Sequence, residues 1–374
     1  MKVGINYPWL HCGWDFGPTP PGYGSRAGHF ETIAADLARL AACGVSIVRW
    51  FVLADGFVYG TGEHAPQRKQ GQFRFGAGAP LAPSFLTDFE RLLQLCEDHG
   101  LQLLPVLLDF HCAFPGLDCQ TREPNTLRLW DRTPRGMWNQ ARLQAARERA
   151  ARLPPGYVKG GRRDVLLDAP VGARFFDNVL TPLLQLSQRH RSAIYAWELF
   201  NEPEWITASM PLHGLFSREK RVPLARMQSF LRAGLARIRE HGFLPTVGFA
   251  RAGSIARWDT PSLGLALNQP HYYPRGLLSS LHDARFANGL PSVLGELASH
   301  PSLPRAWPDL PQTHQSPHAR LALAQQLGYQ AALLWSYRAT DRATDPAREA
   351  VEHSISEFVR SSGRQARFAV LRRA

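Results

Sequence analysis

Two glutamates close apolar runs in this chain. Glu202 ends Trp197-Glu198-Leu199-Phe200-Asn201-Glu202-Pro203, and Glu296 ends Val293-Leu294-Gly295-Glu296. Pro203 cannot extend a central strand and keeps the residue before it out of the right-handed helical region. Glu202 is therefore expected just past a buried strand. Other polar or aromatic residues stand at or near the ends of similar runs: Arg49, His111, Asn201, His271, Tyr273 and Trp335. Two carboxyl groups facing one another divide labour when one is kept neutral to donate a proton and the other is kept anionic to attack or stabilise a carbon centre.

Positioning such a pair requires a rigid frame, and the hydrophobic pattern supplies one. Apolar runs predict eight strands, over 3–7, 47–52, 101–108, 193–200, 246–249, 265–269, 292–297 and 331–337. Amphipathic helices are predicted between them. Phe30, Ile33, Leu37 and Leu40 share one helical face, as do Phe85, Phe89, Leu92 and Cys96 with Ser84 as cap. Further helices are expected around Phe176–Leu184 with a kink at Pro182, Leu224–Ile238, Ser254–Trp258, Gly276–Asn288, Arg320–Leu327 and Val351–Val359. Strands alternating with helices mean a parallel sheet. Eight such units fit an α/β fold, a closed (β/α)8 TIM barrel, formed by one domain over residues 1–360 with its long loops at the C-terminal face. A long inserted loop at 112–172 and a basic tail at 361–374 complete the chain. No glycine-rich phosphate loop follows the first strand, which counts against a dinucleotide fold.

At the C-terminal rim of such a barrel, carboxylic acids on the fourth and seventh strands lie roughly opposite each other, as glycoside hydrolysis requires. The pattern resembles the retaining glycoside hydrolases of clan A, most closely the cellulase/mannanase-like family 5. That resemblance implies that Glu202 is the general acid/base and Glu296 the nucleophile. It implies that Arg49 supports the nucleophile, that Asn201 binds the sugar 2-hydroxyl and that His111 binds substrate. His271 and Tyr273 match its His-x-Tyr after strand six, with the tyrosine hydroxyl bonded to the nucleophile, and Trp335 matches its stacking platform. The implied reaction is retaining cleavage of β-glycosides in gluco- or manno-configured oligo- or polysaccharides, with no cofactor and no metal. Transglycosylation on the same substrates, or a carbohydrate-binding barrel without turnover, are the alternatives, and a barrel using the two glutamates as metal ligands is a third. In the two-carboxylate picture, Arg49 lowers the pKa of Glu296, and the charge of Glu296 raises that of Glu202.

The remaining features are read more plainly. The net charge of +12 favours acidic partners. No nucleic-acid motif accompanies it, so it reads as a solvated arginine surface including Arg142, Arg147, Arg149, Arg152, Arg162 and Arg163. The partner expected is a carbohydrate substrate, with no nucleic acid and no membrane; the oligomeric state is left open. Of the five cysteines, Cys43 and Cys96 fall on apolar helix positions; Cys112 and Cys119 share a loop and could pair in an oxidising compartment; Cys12 stands alone. Glu198 is expected inside the barrel, on the same side as Glu202 by strand alternation, and Glu204 is expected to face solvent or a distal sugar. Trp9, Trp14, Trp130, Trp138, Trp205 and Trp307 are candidate distal sugar platforms. The opening Met1-Lys2-Val3-Gly4-Ile5 enters a strand with no charged-then-apolar leader, which reads as cytoplasmic, with secretion as the alternative if a leader has been removed.

Overall fold

The computed structural model describes residues 1–11, 15–17, 28–53, 67–69, 72–74, 80–113, 117–118, 144–145, 147–149, 151–152, 158–207, 222–273, 286, 288–299, 316–338 and 348–371. Cys12, Cys119, Arg142, Trp14, Trp130, Trp138, Trp307 and nearly all of the helix expected at 276–288 lie outside them.

Eight parallel strands close a barrel: β1 Lys2–Asn6, β2 Ile47–Leu53, β3 Gln102–Asp109, β4 Trp197–Asn201, β5 Pro245–Phe249, β6 Gln269–Tyr272, β7 Val293–Ala298 and β8 Ala331–Trp335. Each pairs with its sequence neighbours, and β8 pairs with β1. The protein is thus a single (β/α)8 barrel, as the alternating pattern predicts. The main helices around it include α1 His29–Ala42, α2 Pro83–Asp98, α3 Thr181–Arg189, α4 Leu224–Glu240, α5 Ala252–Arg257, α6 Pro317–Gln326 and α7 Arg348–Leu371. Between strands and helices lies the main core, with Ile33, Leu37, Phe85, Phe89, Leu199, Leu231 and Ile355 fully buried. Inside the barrel, Ile47, Leu104, Ala196, Leu267, Val293, Ala331 and Leu333 form a separate apolar plug. A smaller cluster of Phe51, Val106 and Trp335, joined by Trp9 and Tyr273, is the third.

Several local departures have physical causes. Helix α2 begins at Pro83, not behind a Ser84 cap, because proline fits the first helical turn, where its missing N–H costs nothing. The kink expected at Pro182 is a π-turn at Phe176–Leu180, leading from the helix Ala169–Phe175 into α3. It lies where the proline ring would crowd the preceding turn. Helix α6 starts one turn before its expected place, because the Ser316 side chain accepts from Ala319 N at 3.1 Å and Pro317 follows it. Strand β6 is shifted forward, so that His271 lies on it. Helix α7 continues through most of the segment set apart as a basic tail. Arg162 is fully buried and donates to Gly160 O at 2.9 Å, so it does not belong to the solvated arginine surface. Cys96 is buried in the core, with its thiol pushed up to about 12 by burial; Cys43 is half-buried beyond α1.

Candidate active site

Strand β4 does not alternate evenly. Its register against β5 shifts between Glu198 and Asn201. Leu199 packs where a Cβ on Gly234 of α4 would sit, and Phe200 meets the ring of Phe230 on the same helix. Two successive side chains therefore face the helices, and Glu198 and Asn201 both face inward. A bulge of this kind re-aims side chains at a barrel rim. Glu198 and Glu202 do both serve the interior, but not through unbroken alternation.

Both inward groups of β4 meet Arg49 of β2, which is fully buried. Its Nε donates to Glu198 Oε2 and its Nη2 to Glu198 Oε1, each at 2.7 Å. Nη2 also donates to Asn201 Oδ1 at 2.7 Å. Nη1 donates to Glu296 Oε1 at 2.7 Å and to Asn6 Oδ1 of β1 at 2.8 Å. Five contacts match the five N–H groups a guanidinium can offer. Burial opposes the cation, but the charges of Glu198 and Glu296 outweigh it and hold the group protonated.

Glu296 also accepts from the Tyr273 hydroxyl through Oε2, the same oxygen that lies 3.5 Å from His271 Nδ1. Glu202 faces it from the end of β4. Its backbone sits in the left-handed region at φ 48° and ψ 54°, away from right-handed helix as Pro203 requires, though not extended. Such a conformation is unusual for a residue with a Cβ and collects at functional sites. It is held by Glu202 N donating to Gly248 O at 2.7 Å. The Glu202 side chain lies 2.8 Å from His271 Nδ1 through Oε1 and accepts from Trp205 Nε1 through Oε2. One ligand atom each from Glu202, His271 and Glu296 lie within 4.8 Å of one another. Among the described residues this is the group that could close on a metal ion. Its carboxylates are already served by Arg49, Tyr273 and Trp205, which is the chemistry of a proton-sharing set.

The electrostatics correct the two-carboxylate picture. Burial would lift Glu202, but the hydrogen bond and charge of His271, with Trp205 and Arg49, bring it below the usual carboxylate value. Burial lifts Glu296, and the negative charge of Glu202 adds to it; His271, Arg49 and Tyr273 oppose this without cancelling it. Burial would depress His271, yet the charges of Glu296 and Glu202 raise it. The resting order of the two acids is the reverse of that expected. The cause is a third titratable group, His271, closer to Glu202 than to Glu296.

The other expected residues gather at the same rim. His111 sits on the one-turn helix Phe110–Ala113 after β3, and Asp109 accepts from both its backbone N, at 2.8 Å, and its ring Nδ1. Trp335 is 7% exposed, with its ring 6.1 Å from Phe51, and Trp9 approaches Phe51 at 5.8 Å. Trp205 is a partner of Glu202, which the reading of it as a distal platform missed. Glu204 is 1% exposed, contrary to the expectation that it faces solvent. The left-handed turn at Glu202 folds the chain into the short helix Pro203–Ile206 and carries Glu204 inward. Burial, the largest influence, pushes Glu204 up to about 7.

Asn6, Asp109, Glu198 and Gln269 complete the polar layer, with the Gln269 Nε2 group donating to Glu198 Oε2. Gly248 leaves them room: a Cβ there would come 2.9 Å from His271 Nε2 and closer still to Glu198 Oε1.

No family model matches the sequence, and no curated protein matches it in sequence. Solved structures do resemble it. A β-mannanase from the blue mussel Mytilus edulis superposes with a TM-score of 0.60 at 16% identity, over 95% of this chain and 90% of that one. An endo-1,4-β-mannanase from Eisenia fetida gives 0.62 at 17% identity, over 95% and 90%. The fold is that of these mannanases. A GH5_18 protein from Streptomyces cattleya, in complex with Manβ1-4GlcNAc, shares the mannanase-type barrel at a TM-score of 0.56 and 15% identity, over 96% of this chain and 80% of that one.

Proposed function

We propose that this protein is a retaining β-glycoside hydrolase acting on manno-configured oligo- or polysaccharides. The observation that carries the reading is the closeness of Glu202 and Glu296, one oxygen of each within 4.8 Å of the other. Retaining enzymes hold their two carboxyl groups about 5 to 5.5 Å apart, whereas inverting enzymes leave room for a water between them. The preference for manno-configured sugars comes from the mannanases that share the barrel.

In the first step Glu296 attacks the anomeric carbon while the bond to the leaving oxygen breaks. Glu202 gives that oxygen its proton. In the second step water attacks the same carbon, Glu202 takes the water's proton, and the Glu296 carboxylate leaves. The proton Glu202 needs is stored close by, because His271 Nδ1 is 2.8 Å from its carboxyl. Arg49 and the Tyr273 hydroxyl steady Glu296 as a carboxylate leaving group. Asn201 is assigned to the 2-hydroxyl, His111 to a further hydroxyl and Trp335 to a sugar face. The carbohydrate is the partner, and these side chains with the attacking water account for the atoms and protons of both steps. Among the described residues no helix is long and apolar enough to cross a membrane.

The test uses an aryl β-mannoside with wild type, Glu202→Ala and Glu296→Ala. Loss of the general acid is expected to cost about 100- to 10,000-fold on a poor leaving group and much less on an activated one. Glu296→Ala is expected to be inactive and to be rescued by azide with an inverted glycosyl azide as product. Full activity in either variant overturns the assignment. A sugar acceptor added to wild type separates hydrolysis from transglycosylation by the ratio of the products.

A further inference from the structure

Asp109 ends β3 and pairs in register with Asn201, which ends β4. It is buried. Its Oδ2 accepts from Asn201 Nδ2 at 2.7 Å, and its Oδ1 accepts from His111 N at 2.8 Å and from His111 Nδ1. On its other edge Asn201 Oδ1 accepts from Arg49, whose Nη1 reaches Glu296. A continuous path of hydrogen bonds thus runs from His111 through Asp109, Asn201 and Arg49 to Glu296.

We propose that Asp109 is a positioning residue of this site, whose carboxylate fixes which polar atoms Asn201 and His111 present to the sugar. For Asn201 the logic is forced. Arg49 offers only N–H donors and the Asp109 carboxylate only acceptor oxygens, so the amide has one orientation. Its oxygen is committed to Arg49, and one Nδ2 hydrogen stays available to a sugar hydroxyl. For His111, a carboxylate at Nδ1 selects the tautomer with the proton on that nitrogen and leaves Nε2 as an acceptor. A single acid therefore sets two substrate contacts as one unit. An asparagine at 109 would turn an N–H toward one of these two donors and offer the other only a neutral amide oxygen, a weaker acceptor than a carboxylate, so both side chains would loosen.

The inference rests on the glycosidase reading, and one arm of its test does not. In the activity arm, Asp109→Asn is assayed on an aryl β-mannoside and on its 2-deoxy counterpart. The expected result is a fall of about 100-fold in kcat/KM on the first, carried by kcat, as for a misplaced positioning group. On the 2-deoxy substrate, which lacks the hydroxyl assigned to Asn201, the difference between variant and wild type is expected to shrink to a few-fold. Adding Asp109→Asn to Asn201→Ala is expected to cost little more than Asn201→Ala alone. Equal losses on both substrates, or fully multiplicative losses in the double variant, overturn the proposal. In the second arm, imidazole 15N NMR is expected to show His111 protonated at Nδ1 in wild type and shifted toward Nε2–H in Asp109→Asn. An Nε2–H tautomer already present in wild type overturns it. If the glycosidase reading is the one at fault, wild type and Glu296→Ala are equally inactive while the NMR shift persists. Should Asp109→Asn not fold, Asp109→Ser, which can accept from one of the two neighbours only, takes its place in both arms.

Discussion

Arg49 meets Glu198 edge-on, with Nε and Nη2 each 2.7 Å from a carboxylate oxygen and both side chains fully buried. The planar fork matches the carboxylate in a way an ammonium cannot. The same guanidinium turns its remaining N–H groups to Asn201, Asn6 and Glu296. Replacing it with lysine keeps the charge and loses most of the bonds. Arg49→Lys is expected to destabilise by about 3 kcal/mol or more, the scale for breaking a buried ion pair. Urea denaturation measures this, and a variant as stable as wild type contradicts the bracing role given to the pair.

The pH dependence of turnover follows from the shared proton. His271 is raised from its ordinary 6.5 by Glu296 and Glu202 in spite of burial. The site then holds its last useful proton on the imidazole, and the basic limb of kcat/KM is expected above 6.5. His271→Asn removes that store and returns the proton to a carboxyl group, so the basic limb should move to lower pH. An unmoved limb would show that His271 takes no part.

Glu204 gives a stability prediction with a definite sign. Its folded pKa of about 7 lies above the ordinary carboxyl value of 4.5, because burial disfavours the anion. Folded protein keeps a proton that unfolded chain releases between these values, so stability falls as pH rises from about 4.5 through 7. Above that window the cost reaches at most about 3 kcal/mol, from the size of the shift at 1.36 kcal/mol per unit. Glu204→Gln is expected to remove most of it. The variant should gain stability over wild type at pH 8 and gain little at pH 4, as measured by chemical denaturation at the two values. An equal effect at both pH values would refute the titration.

Gly248 is required by close approach, since a methyl group there would press on Glu198 and on His271 Nε2. Gly248→Ala is expected to cost about 1 to 3 kcal/mol through overpacking. It should also lower kcat by shifting the two side chains that face Arg49 and Glu202. Wild-type stability together with wild-type kcat would show that the space is not tight.

Much of this arrangement is legible in the chain because strand-end residues follow apolar runs. Glu202, Glu296, Arg49, Asn201 and Tyr273 each stand at or near the end of an apolar run, and they gather at one rim of a barrel that the alternating pattern predicts. What is not legible depends on register and on local turns. Asp109 stands two residues before His111 and invites attention only through it; its pairing with Asn201 exists because β3 and β4 align at those positions. Asn6 acts because β1 sets it level with Arg49. The left-handed turn at Glu202 reverses the expected direction of Glu204. The bulge in β4 keeps Asn201 inside when alternation from Glu198 would turn it out. The pKa order is not legible in the sequence for a related reason: two acids alone do not set it, because the imidazole between them decides their balance.

The five bonds of Arg49 reach β1, β4 and β7 from β2. The guanidinium therefore works as a central tie-bar that fixes Glu198, Asn201 and Glu296 to the barrel staves. On the proposed glycosidase reading, new loops joined to this frame should alter which saccharide is recognised while the positions of Glu198, Asn201 and Glu296 stay as they are.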